Sequence, residues 1–201
     1  MKILPARGYA LRVLVRRPDD FEAPEGVEVF EGDLLRPESL EGIETDIDLV
    51  VHGAGILGKW GTDDSVTFDV NVKGTVHLLE RFRNHPGLTR FIYLSAGGVT
   101  GPAPTTSVDE TYVCQPSTSY EKAKYAAERK VLELSPELKL PGLVVRPTFT
   151  YGPGDPHKLP LFRAVKKGKY AFIGGGHSVN RRGGIAGVGA GRREAREGGA
   201  A

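Results

Sequence analysis

Tyr120 and Lys124 stand four residues apart in Tyr120-Glu-Lys-Ala-Lys124, the spacing that places two side chains on one helix face. A phenol titrates near ~10, too high for proton transfer at neutral pH unless a neighbouring ammonium favours the phenolate. Taken alone the pair is weak evidence, because the same spacing recurs on solvent-facing helices. Its surroundings strengthen it. Arg90-Phe-Ile-Tyr-Leu-Ser95 reads as a strand ending in a hydroxyl 25 residues before Tyr120, and Leu143-Val-Val-Arg146 as a strand running into Pro147-Thr148 and a Gly/Pro-rich loop. Ser95 is then either a partner in proton transfer or a strand-end serine that bonds the backbone, and both readings stand.

The elements that position these residues alternate. Leu11–Val15, Val27–Phe30 and Asp46–His52 read as strands ahead of the two just named. The continuous apolar centre of 46–52 suits a sheet covered on both faces. Asp64–Arg83 reads as a helix with Val66, Val70, Val76, Leu79 and Phe82 on its buried side, stopped by Asn84 and Pro86-Gly87. Ser117–Leu134 and Leu159–Lys167 read as further helices. Strands alternating with helices predict an α/β fold with a parallel, doubly wound sheet.

With these elements on the page, the chain resembles the extended short-chain dehydrogenase/reductase family, which includes nucleotide-sugar epimerases, dehydratases and 3β-hydroxysteroid dehydrogenase-like enzymes. The resemblance covers about residues 7–180 and rests on Tyr120-x-x-x-Lys124, the strand ends at Ser95 and Arg146-Pro147, and Asn71-Val-Lys-Gly-Thr75. It implies a Rossmann-like domain and NAD(P)-dependent oxidation or reduction of a secondary alcohol or ketone on a nucleotide sugar, sterol or related small molecule. Tyr120 would be the general acid/base. Lys124 would lower its pKa and bond the nicotinamide ribose. The Gly58–Asp64 loop and the Val99-Thr-Gly101 ending lean towards the steroid-dehydrogenase-like branch.

The same resemblance implies cofactor contacts. Asp33-Leu34 would meet the adenine, and Gly53-Ala54-Gly55 would pass under the cofactor, where glycines permit close approach. Asn71 would brace the region through backbone or water bonds, and Pro147 and Thr148 would lie beside the nicotinamide. Arg16 and Arg17 favour a 2′-phosphate, hence NADP over NAD, although Asp19 and Asp20 are close by. For each there is a plainer reading: a turn or cap for Asp33, an ordinary loop for 53–55, a solvated basic turn for the arginines. Lys59-Trp60-Gly61 would line a substrate mouth or be an exposed aromatic anchor, and His52 reads as a packed or exposed histidine rather than a catalyst.

Three departures weigh against ordinary activity. Counting back from Gly101, Ala96 holds the position where the family has its catalytic Ser or Thr, with Ser95 one residue early. The glycine-rich phosphate-binding turn after the first strand has no counterpart, and Gly174-Gly-Gly176 and Gly183-Gly184 do not replace it, lacking strand–turn–helix context. Met1–Leu4 cannot be the first, mid-sheet strand, because only Pro5–Ala10 separate it from Leu11 whereas a parallel crossover needs about a dozen residues. Residues 2–8 read instead as the end of the first helix, with Gly8 as its stop. The expectation is an incomplete sheet with a vacant lane between two apolar strands. The alternative function is a degenerate, non-catalytic NAD(P)-binding or regulatory protein, or an inactive fragment.

Composition sets the remaining bounds. The 201 residues are 39% hydrophobic and 26% charged, ordinary for a soluble protein. No apolar run approaches the ~18 residues of a membrane span, and the start is no signal peptide. Cys114 is the sole cysteine, which excludes an intrachain disulfide and a Cys-based metal cluster and fits a cytoplasmic location. Residues 181–201 hold five Arg and two Glu against a whole-chain charge of +2, so the rest is near neutral and gives no argument for nucleic acid. The expected division is a truncated NAD(P)-binding domain over 1–180 and a disordered Gly/Ala/Arg-rich tail over 181–201. The implied partner is a small-molecule substrate, with no metal site, and a homodimer is compatible with it.

Overall fold

Local β-forming runs become parallel ladders in the computed structural model, which describes residues 4–58, 63–102, 108–148, 150–151, 159–168 and 183–184. The chain divides into two units, Met1–Ser95 with Ser117–Val145 and Ala96–Pro116 with Arg146–Ala201. In the first unit β1 (Leu11–Val15) pairs in parallel with β2 (Val27–Glu31), in register Leu11 to Val27 through Val15 to Glu31. Separately, β3 (Leu49–His52) pairs with β4 (Arg90–Leu94), and β4 with β5 (Gly142–Val145). All of these pairings are parallel, as the alternation of element types predicts. β1 and β3 are not joined.

The break falls where a central strand was argued to be lacking. A groove of about 390 Å³ runs between the two ladders, walled by Val13 and Leu14 on one side and Leu49 and Val50 on the other. Ahead of β1, Pro5–Arg7 form one tight helical turn, closed by Gly8 at φ 82, whose N–H donates to the Pro5 carbonyl. That positive φ is the left-handed conformation in which glycine carries no Cβ penalty.

The helices of this unit lie on one sheet face. α1 (Asp64–Phe68) and α2 (Gly74–Arg81) carry the chain from β3 to β4, and α3 (Ser119–Glu137) lies between β4 and β5. Both crossovers advance in the same direction, and right-handed crossovers in one direction stack their helices on one side. Phe91 and Tyr93 of β4 are therefore fully buried with Leu79, Phe82, Ala127 and Val131 in one core. Burying side chains of this size contributes about 1.5–3 kcal/mol each. The other face differs from the two-sided cover expected for β3. Val51, Ile92 and Leu143 are in register across it, with Val51 at 53% and Leu143 at 46% exposure.

The predicted helix over 64–83 forms, but with a wider turn at Asp69–Lys73 joining α1 to α2. Asn71 explains it. Its buried amide donates to the Thr67 carbonyl at 2.8 Å, inserting a side chain into the helical ladder. Asn84, at φ 53, ends the run and donates its N–H to the Leu138 carbonyl. α3 starts on a reciprocal cap, Thr118 Oγ1 accepting from Glu121 N and the Glu121 carboxylate accepting from Thr118 N.

In the second unit, α4 spans Leu159–Lys166, and β6 (Thr150–Tyr151) pairs in parallel with β7 (Gly183–Gly184). β7 lies within the segment expected as an unpacked tail from residue 181 onward. Backbone hydrogen bonds between strands require no side chain, so composition carries no signal for it. The Lys59–Gly61 loop, the 174–176 glycines and residues 185–201 lie outside the described residues.

Candidate active site

Tyr120 and Lys124 come from the first turns of α3, and β4 supplies what they meet. Side chains alternate along β4, so Phe91, Tyr93 and Ser95 share the buried side. Tyr93 Oη donates to the Lys124 carbonyl at 3.5 Å, and Lys124 Nζ sits 4.2 Å from the centre of the Tyr93 ring. An ammonium over an aromatic face is held by the ring quadrupole. Ser95 is buried, its N–H donates to the Val145 carbonyl, and its Oγ has no hydrogen-bond partner.

Burial governs the electrostatics. It lowers Lys124 to about 8 and pushes the Tyr120 phenol up from its ordinary value, each effect favouring the uncharged form. Tyr93 is raised by burial first, with charge at Tyr120 and Glu128 adding to it. The resemblance makes Lys124 the group that lowers the tyrosine's pKa; here the Lys124 ammonium lies over the Tyr93 ring, and burial raises the Tyr120 phenol.

Behind this cluster lies a buried chain that ties β3 to the helix. Thr75 Oγ1 donates to the Asn71 carbonyl at 2.6 Å, which leaves its lone pairs to accept from His52 Nε2 at 2.9 Å. His52 is lowered to about 3 by burial, with the Lys124 charge adding to it. The imidazole is therefore neutral and packs against Phe91 and Tyr93. Asn71 also donates to the Ile56 carbonyl at 2.9 Å, while its Oδ1 is buried without a partner. A Cβ at Gly55 would collide with that Oδ1. Asn71 thus fixes the loop after β3, and the exposed backbone of Gly53, Ala54 and Gly55 leaves β3 beside it.

The outer candidates separate. Asp33 Oδ1 accepts from Leu35 N and so closes its own turn. Leu34, expected at the adenine, has a side chain 7% exposed, in the core, and packed where a Cβ on Gly74 would touch it. Arg16 and Arg17 are exposed at the end of β1, and Arg17 Nε is 3.0 Å from Asp20 Oδ2, which offsets its charge. Ala96, Pro147 and Thr148 belong to the second unit. There Gly97 N donates to the Pro147 carbonyl at 2.9 Å, and a Cβ at Gly97 would meet that oxygen at 3.0 Å. Thr148 is exposed. Cys114 Sγ is 3.8 Å from the Tyr112 carbonyl, a weak local contact.

Sequence reasoning passed over Tyr93 and Thr75. Their position had a signal: residue 93 alternates with Phe91 and Ser95 on the strand before the Tyr–Lys helix, and Thr75 lies one turn beyond Asn71.

The fold agrees with what known proteins show. The NAD dependent epimerase/dehydratase family model matches residues 1–183, and the chain belongs to that family. It is 31% identical over 160 residues to sterol demethylase protein B of Methylococcus capsulatus, covering 77% of this chain and 48% of that one. It is 31% identical over 183 residues to the 3 beta-hydroxysteroid dehydrogenase/Delta 5-->4-isomerase of Mycobacterium tuberculosis, covering 86% and 49%. The structure of the Thermus thermophilus UDP-glucose 4-epimerase complex with NAD superposes with a TM-score of 0.68 at 29% identity, covering 78% of this chain and 53% of that one. The chain therefore spans about half the length of the curated relatives it matches.

The residues present fit one half of a nicotinamide dinucleotide. Ser95 Oγ is buried and unpartnered, Lys124 is buried against Tyr93, two residues before Ser95, and Tyr120 is close enough to Tyr93 to act on it electrostatically. For the diphosphate half, no glycine-turn holder stands among the described residues. That charge is ordinarily met by a glycine turn and a helix N-terminus following a mid-sheet strand. Here the tight turn at Pro5–Arg7 leads directly into β1.

Proposed function

We propose that the chain carries the proton-handling half of an NAD(P)-dependent oxidoreductase or epimerase acting on a secondary alcohol or ketone. The substrate class is a nucleotide sugar, a sterol or a related small molecule, matching what the relatives' names specify. The observation that carries this reading is the placement of Lys124, one turn beyond Tyr120 on α3, against Tyr93 of β4, with Ser95 on the same buried side of that strand.

A bound nicotinamide would supply hydride transfer. This chain's own residues handle the rest. Tyr120, kept protonated by burial, donates a proton to a developing alkoxide or takes one back in the reverse direction. Ser95 Oγ offers an unspent hydroxyl to the same oxygen. Lys124 keeps a positive charge inside the site, where low dielectric strengthens its effect on developing negative charge. Arg16 favours NADP over NAD, and Asn71 positions the β3 loop.

A second reading is favoured by Ala96, which brings no hydroxyl to the position the family uses: a degenerate protein that binds nucleotide without turnover. Alcohol oxidation at millimolar NADP, comparing the chain with Tyr120→Phe, separates the two. Slow turnover abolished by the substitution supports the enzyme. Equal absence of turnover, with nucleotide binding retained in both, supports the degenerate reading.

A further inference from the structure

We propose that Tyr93 is a positioning residue: its ring seats the Lys124 ammonium and its hydroxyl tethers the backbone of the same lysine, so that the lysine stays inside the site with a charge its holder does not cancel. The role in turnover rests on the reading of Lys124 as a site residue given above.

Both contacts of Tyr93 go to one residue. Lys124 Nζ lies 4.2 Å from the ring centre, and Tyr93 Oη donates to the Lys124 carbonyl at 3.5 Å. A carbonyl has two lone pairs, so the phenol can add to the helical hydrogen bond without replacing it. Lysine is a long, flexible stem that ordinarily carries its ammonium out to water. Here Lys124 is 3% exposed and Tyr93 fully buried. The negative face of the ring is what meets the desolvated charge.

Tyr93 is itself held on several sides. It stands opposite His52 of β3 and Val144 of β5 in the ladder, so the strand beneath it is fixed by both neighbours. The His52 ring packs against it at 5.5 Å between centres, and the Thr75 hydroxyl of α2 acts on its phenol. The titratable groups that bear on the pair are His52 from β3, which is neutral, and Tyr120 and Glu128 from α3. Burial pushes the Tyr93 phenol well above its ordinary value. It therefore stays neutral and holds Lys124 as a ring and a donor, not as an anion. A carboxylate in its place would neutralise the ammonium, whereas a ring leaves that charge to act on negative charge developing nearby.

The test is NMR on the chain labelled with 13C at lysine and at the aromatic residues, with no cofactor or substrate added. Lys124 is assigned by the signals lost in Lys124→Arg. In the natural chain the Lys124 ε-protons should show Overhauser contacts to the Tyr93 ring and resonate upfield of every other lysine. Tyr93→Phe keeps the ring and should keep the upfield shift. Tyr93→Met fills much of the space without a ring. There the upfield shift should vanish, and Lys124 should titrate about one pH unit lower, having lost the ring that favours its charge. Absent contacts in the natural chain, an ordinary Lys124 shift there, or Phe behaving as Met would overturn the proposal. So would a Lys124 titration that Met leaves unmoved or raises. Should the Met variant fail to fold, the natural chain and Tyr93→Phe decide. Failure of the oxidoreductase reading would appear in the Tyr120→Phe turnover comparison and would leave these signals as they are.

Discussion

His52 and Lys124 are each held away from their ordinary pKa by burial, and each makes stability depend on pH. His52 titrates at about 3 in the folded chain against ~6.5 unfolded. Between those values the unfolded state binds more protons, so the stabilisation is complete above ~6.5 and is lost as pH falls towards 3. His52→Gln can still donate to Thr75 but does not titrate. Its acid-denaturation midpoint, followed by circular dichroism, should move to lower pH than that of the natural chain. For Lys124, at about 8 folded and ~10.4 unfolded, the unfolded state again binds more protons across the window. Stability should therefore rise from pH 8 to pH 10, and the rise should be absent in Lys124→Met. An unchanged slope in that variant would mean that Lys124 is solvated. The Tyr–Lys pair was legible in the sequence because helical spacing is local. Its electrostatics were not, because Tyr93 reaches Lys124 from a strand 31 residues away.

At the scale of elements, close packing decides the sign of substitutions that propensity alone would get wrong. Gly74→Ala in α2 should gain up to ~1 kcal/mol of helix propensity. However, the new Cβ would lie 2.8 Å from Leu34 Cβ, an atom fixed by its own backbone. Overpacking costs about 1–3 kcal/mol, so the net expectation is a loss of up to roughly 2 kcal/mol in urea unfolding. Thr118→Ala should cost about 0.5–2 kcal/mol by removing the side-chain cap of α3, which also carries Tyr120. The five main strands and the three longer helices could be read from alternation and capping residues. The wide turn at Asp69–Lys73 could not, because it depends on where the Asn71 amide finds carbonyls. Leu34 packs on α2 as a buried leucine, and only the assembled layers show which way its side chain faces.

For the whole molecule, the sheet divided between β1 and β3 predicts weak dinucleotide binding. Several charge-assisted hydrogen bonds to the diphosphate, ~1.5–3 kcal/mol each, have no glycine-turn donors among the described residues. Affinity for NADPH should then be several powers of ten below that of a protein with the glycine turn. Fluorescence titration of the 201-residue chain checks this, and submicromolar binding would show that another segment holds the phosphates. Adding a strand and a Gly-x-x-Gly-x-x-Gly turn ahead of Arg7 should recover binding. No helix among the described residues is long and apolar enough to cross a membrane.

The sequence by itself determined the class of fold and the order of strands and helices. Those features follow from short-range periodicity and from the capping and turn residues between the elements. Only the tertiary structure decided that the described helices cover one face of the β3–β4–β5 sheet, that Lys124 faces Tyr93, that Asn71 widens its helix, and that the open edges of β1 and β3 border a common groove. Each of these depends on groups far apart in the chain meeting at a few ångströms, and residue spacing holds no record of such meetings.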